Sequence, residues 1–111
     1  MLAEVSGADR RAEARRKVSL AASIVRADGR ERLSLVRDLS ASGARMLVAT
    51  RKVTAGETVR LTLHMDTGVE HATTARLLRV AEAESGIWKC EVAVSFDERL
   101  PIDVTKVPQS E

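Results

Sequence analysis

The sequence predicts an all-β fold, a small sandwich or barrel of six antiparallel strands. Three observations carry this reading: short runs alternate apolar and polar residues, turn signals separate them at regular spacing, and no amphipathic helix of about ten residues or more is present. Closing six strands into a barrel would also remove exposed sheet edges.

Residues 1–9 are small and polar and are expected to form a flexible tail; residues 10–16 are charged enough to be a solvated arm. In 17–27, KVSLAASIVRA, Val18, Leu20, Ala22 and Ile24 point one way and Ser19, Ala21 and Ser23 the other, which reads as a half-buried strand. Asp28-Gly29 is a two-residue hairpin signal, and ERLSLVR over 31–37 returns as a second strand with Leu33 and Leu35 on one face. DLSASG then breaks the pattern, because Asp38 and Ser40 can bond the backbone ahead of them and Gly43 can take a positive φ. ARMLVA over 44–49 is a short third strand, followed by the turn Thr54–Glu57. TVRLTLHM over 58–65 aligns Val59, Leu61, Leu63 and Met65 on a fourth strand, closed by Asp66-Thr67-Gly68. A fifth strand over 69–81 sets Ala72, Thr74, Arg76, Leu78 and Val80 on one face and Leu77 on the other. After the turn at 83–86, IWKCEVAVSF over 87–96 is the sixth strand, and the stretch from Arg99 on, with Pro101 and Pro108, is expected to be irregular.

The 111 residues suit one domain with a modest core. Hydrophobic residues make up 44% of the chain, which predicts a folded globule, yet Phe96 and Trp88 are its only aromatics, so the core rests on aliphatic side chains. Net charge is only +2, but RRAEARRK over 10–17 holds five basic residues against one acid, a local anion-attracting arm on a chain that is not basic overall. Cys90 is the single cysteine, which excludes an intrachain disulfide and a zinc-finger set and suits a reducing compartment. No signal-peptide pattern and no apolar run of about 18 residues appear, so a cytoplasmic protein without membrane insertion is expected.

Two motifs point to function. Arg10, Arg11 and Arg15 lie in RRAEAR, and Arg11 and Arg15 form Arg-x-x-x-Arg. Arginine offers a planar fork that holds phosphate bidentately and a flat face that stacks on bases. Asp38, Ser40 and Gly43 form Asp-x-Ser-x-x-Gly, which can present a carboxylate, a hydroxyl and open backbone to a polar ligand. Taken singly, the first is also what a solvated arm looks like, and the second what an ordinary self-bonded turn looks like.

In this order and spacing, ahead of a β-rich chain, the two motifs resemble those of the PilZ domain family, receptors for the bacterial second messenger cyclic di-GMP. ARLLRV at 75–80 and EVAVSF at 91–96 are similar to the family's late strands, although Ala93 stands where a glycine is frequent. The resemblance implies a six-stranded antiparallel PilZ-type β-barrel over 18–97 with a flexible basic arm over 10–17, together a domain at 10–98, and an irregular tail over 99–111. It implies that Arg11 and Arg15 wrap over the ligand, that Asp38, Ser40 and Gly43 form its floor, and that Arg10 helps hold a second ligand molecule. Trp88 is a candidate to stack on guanine or to cap the barrel, and Arg45 is a further phosphate contact. It also implies an unidentified protein partner and a role in motility, attachment or exopolysaccharide output, with no cofactor.

Competing readings are weaker. A nucleic-acid-binding barrel would use the basic arm and Trp88, but the rest of the chain is not basic and has few rings to stack. A nucleotide-independent interaction module of the same family would usually lack the arginines or the turn. Asp66-Thr67-Gly68 spells the aspartic-protease signature but sits as a hairpin turn. His64 and His71 flank that hairpin without a metal-ligand set, Cys90 lacks a catalytic partner, and no enzyme is expected.

Overall fold

The computed structural model describes residues 14–109. Six strands, β1 (Arg15–Val25), β2 (Glu31–Ser40), β3 (Gly43–Val48), β4 (Thr58–His64), β5 (Glu70–Ser85) and β6 (Trp88–Phe96), are followed by a 3₁₀ turn at Val104–Lys106. All pairs are antiparallel, and the sheet closes on itself in the order β1-β2-β3-β6-β5-β4. No helix among the described residues is long and apolar enough to cross a membrane.

Alternation puts the core where the sequence predicts it in β1 and β4, and the same alternation runs through β3 and β6. Val18, Leu20, Ala22 and Ile24, then Ala44, Met46 and Val48, then Val59, Leu61 and Leu63, then Cys90, Val92, Val94 and Phe96 all face inward. Each large aliphatic taken out of water contributes about 1.5–3 kcal/mol. Burial pushes the Cys90 thiol pKa up, so it behaves as a small apolar side chain rather than a reactive one.

Two strands depart from simple alternation. In β2, Leu33 and Leu35 do share a face, but it is the outer one: Leu33 is 52% exposed, whereas Ser34 and Val36 are fully buried. The ladder with β3 then slips between Val36 and Asp38, leaving Arg37 as an extra residue. One extra residue inverts the alternation beyond it, so Leu39 turns into the core and Asp38 toward the outer surface. In β5 the core face is that of Leu77 with Ala75, and Leu78, placed by alternation with Val80, is 55% exposed. The ladder with β6 slips between Leu77 and Arg79, so Leu78 is the extra residue and Arg79 turns outward where unbroken alternation would point it in.

Ser34 Oγ is buried between Ala22 and Val48 in register and finds no hydrogen-bond partner among the described residues. Removing a buried, unpaired hydroxyl lifts a desolvation cost. Ser34→Ala should therefore leave the protein as stable or stabilise it by about 1 kcal/mol, read as a melting temperature that does not fall.

The described part of the C-terminal segment, residues 99–109, is mostly irregular, but it is docked. Leu100, Val104 and Val107 join the core. The Leu100 amide donates to the Ala41 carbonyl at 2.8 Å, and Arg16 Nε donates to the Val107 carbonyl at 2.8 Å. Asp103 caps the 3₁₀ turn, accepting from the Thr105 amide at 3.0 Å and the Thr105 hydroxyl at 2.6 Å. These bonds hold the Asp103 carboxyl below its usual pKa, the hydroxyl contributing most. A lowered folded-state pKa stabilises the protein above the ordinary aspartate value and ceases to do so as pH falls through the folded value. Asp103→Ala should thus melt below the parent at a pH of about 7, with the gap narrowing as pH falls below the ordinary aspartate value.

Candidate functional site

The β2–β3 connection is tighter than the sequence suggests. Asp38 and Ser40 belong to β2, Gly43 starts β3, and only Ala41 and Ser42 form the turn. The Gly43 amide donates to Ser40 Oγ at 3.2 Å, and the same hydroxyl lies 3.2 Å from the Gly43 carbonyl as its donor. Ser40 is 5% exposed and acts here as the clasp of the turn.

Gly43 has no positive φ, so the expected conformational freedom is not why glycine stands there. A Cβ at this position would meet the Val94 carbonyl oxygen at 2.5 Å, with the Val94 carbonyl carbon at 3.6 Å. Glycine is required for the close approach of β3 to β6. The Ser42 carbonyl accepts from the Phe96 amide at 2.8 Å at the same junction.

Arg15, Arg16 and Lys17 are not an appendage ahead of the barrel. They are the first residues of β1, in register with Ser40, Leu39 and Asp38 respectively. The DxSxxG motif and the second arginine of the arginine motif are therefore next-door neighbours across one ladder. Arg10 and Arg11 lie outside the described residues.

The ladders extend this into a row across five strands. Lys17 pairs with Asp38, Asp38 with Arg45, Arg45 with Ala93, and Ala93 with Arg79. Opposed residues share a face, so the row presents one half-buried carboxylate among three exposed cations. A second row sets Gly43 beside Ser95 and Ser95 beside Arg76. Arg15, Lys17, Arg76 and Arg79 have no ion-pair partner among the described residues, and Asp38 has none either. Arg45 has a loose one, Glu91 at 3.9 Å. A band of unneutralised guanidinium groups raises the local concentration of anions and offers forks to phosphate.

Trp88 is not brought to this row. It is half-buried at the start of β6, opposite Ser85, on the alternation that continues as Cys90 and Val92. Five positions separate it from Ala93, about 16 Å of strand. His64 and His71 do not meet either: His64 stands opposite Glu70, with Nδ1 2.9 Å from its carboxylate. Sequence reasoning missed Arg76 and Arg79, because their place depends on register rather than on any motif.

Fold and surface together define a small closed β-barrel that displays a basic band, with one embedded carboxylate, on one outer face. A family model described as the PilZ domain matches residues 9–107, and the chain belongs to that family. Among solved structures it is similar to the PilZ domain with c-di-GMP of YcgR from Escherichia coli, at 17% identity and TM-score 0.67, covering 83% of this chain and 81% of that one. It is similar to YcgR in complex with c-di-GMP from the same organism, at 19% identity and TM-score 0.62, covering 86% and 40%. It is also similar to the Bacillus subtilis inhibitor of motility MotI/DgrA, at 21% identity and TM-score 0.66, covering 83% and 44%. The chain thus spans less than half the length of MotI/DgrA. At these identities the likeness is one of fold. No curated protein sequence matches the chain.

Proposed function

We propose that this protein is a cyclic di-GMP receptor that has no chemistry of its own and acts through a protein partner. The observation that carries the reading is the register of β1 on β2, which sets Arg15 opposite Ser40 and Lys17 opposite Asp38. Arg15 of the arginine motif then shares a face with Asp38 and Ser40 of the turn motif. Asp38, as an acceptor-only carboxylate, suits the donor edge of guanine, while Arg15 and Arg45 suit phosphate. Gly43 keeps the floor flat and Ser40 holds its turn.

Ligand binding would draw the segment carrying Arg10 and Arg11 onto the barrel, since those arginines gain phosphate and guanine contacts only in the bound state. That difference in contact energy is what a switch requires. Two structural neighbours are named for c-di-GMP and one for inhibition of motility, which supports motility as the first pathway to examine.

The test is isothermal titration of the full chain with cyclic di-GMP, with linear pGpG and GTP as controls. Saturable heat for the cyclic ligand alone is the expected result. Absence of heat at high ligand concentration would reject the receptor reading in favour of a nucleotide-independent interaction module.

A further inference from the structure

We infer that Arg79, with Arg45 across the small side chain of Ala93, forms a second phosphate-binding subsite that extends the cyclic di-GMP site from β2 and β3 onto β6 and β5. This rests on the receptor reading above and adds to it residues that neither motif contains.

The first argument is register. Arg45, Ala93 and Arg79 stand directly opposite one another across β3, β6 and β5, in line with Asp38. Strand spacing puts the Arg45 and Arg79 backbones about 10 Å apart, with only a methyl group between them. Two arginine side chains reach well into such a gap. The space between them is an open depression lined by both arginines, Ala81, Glu91 and Ala93, among others.

The second argument is how Arg79 comes to be there. Ala75 and Leu77 are buried, and unbroken alternation would drive Arg79 into the core behind them. The bulge at Leu78 turns it outward instead. The bulge at Arg37 does the same for Asp38. Two independent irregularities, on strands that are not neighbours, thus aim a carboxylate and a guanidinium into one row. Bulges commonly re-aim side chains beside functional sites.

The third is charge. Arg79 is exposed and has no ion-pair partner among the described residues. The Glu91 carboxylate stands 3.9 Å from the Arg45 guanidinium with both groups half in solvent, so the contact is weak enough to yield to a phosphate. A ligand whose guanine is held at Asp38 would present phosphate toward Arg45, and Arg79 would close on it from the far side.

The experiment is isothermal titration of the full chain and three variants with cyclic di-GMP, each variant first melted to show that it folds as the parent does. Arg79→Ala should lower affinity by about tenfold or more, and Arg79→Lys, which keeps charge but not the fork, should recover only part of that. Arg60→Ala removes an exposed cation on β4 and controls for net charge, with an expected change of about twofold or less. If the parent binds and Arg79→Ala binds within about twofold of it, or if Arg60→Ala loses as much, the subsite is wrong and the receptor reading stands. A parent that does not bind overturns both.

Discussion

Gly43→Ala should destabilise the barrel by about 1–3 kcal/mol and remove cyclic di-GMP binding beyond what lost folding explains. The added methyl would sit 2.5 Å from the Val94 carbonyl oxygen, closer than any Cβ tolerates. The neighbour is backbone, so it cannot rotate away. β3 and β6 must part where Gly43 stands against Ser95, two residues from the pair that holds Arg45 against Ala93. The melting temperature should fall by several degrees, and titration at a temperature where the variant is still folded should show little or no heat. Gly29→Ala is the informative comparison. Gly29 has φ 78° with nothing within 4 Å of an added Cβ, so its cost is local strain of about 1 kcal/mol at a distant hairpin. Ligand binding there should be unchanged. Equal loss of binding in both variants would show that Gly43 matters only through stability.

This result would also separate two uses of glycine that look alike in sequence. DLSASG reads as a turn in which glycine supplies conformational freedom. The structure assigns it a steric role instead, and the difference is invisible without knowing that β6 lies against β3.

The same limit runs through the rest of the molecule. Four strands were legible because their apolar residues alternate without interruption, as Val59, Leu61 and Leu63 do. β2 and β5 were legible as strands but not in their facing, since a bulge is a backbone event with no residue signature. Ser34 is buried and Leu33 exposed, the reverse of what hydrophobicity alone suggests. The C-terminal docking left a fainter trace, Leu100, Val104 and Val107 at near-helical spacing, which the flanking prolines obscured. At the site, the motif residues could be named from the chain because local spacing defines them. Arg79 could not, because 35 residues of intervening chain and a bulge set its distance from Gly43.

Arg15→Ala and Asp38→Ala should both lower cyclic di-GMP affinity by about tenfold to a hundredfold, for opposite electrostatic reasons. Arg15 is exposed and has no ion-pair partner among the described residues, so its removal deletes a phosphate fork at little cost to the fold. Its variant should melt like the parent and lose binding to every phosphate ligand alike, with a shallower dependence on salt. Asp38 is flanked in register by Lys17 and Arg45, and it is the one carboxylate in that row. Deleting it removes the acceptor for the guanine edge while making the surface more positive. Asp38→Ala should therefore lose selectivity rather than attraction: cyclic di-GMP weakens while inorganic pyrophosphate binds as well as before or better. Titration of both variants with both ligands decides this, because a site that reads only charge would show the two substitutions moving pyrophosphate and cyclic di-GMP together. Opposite movement of the two ligands in Asp38→Ala is the signature of a carboxylate placed to read a base within a field built to hold phosphate.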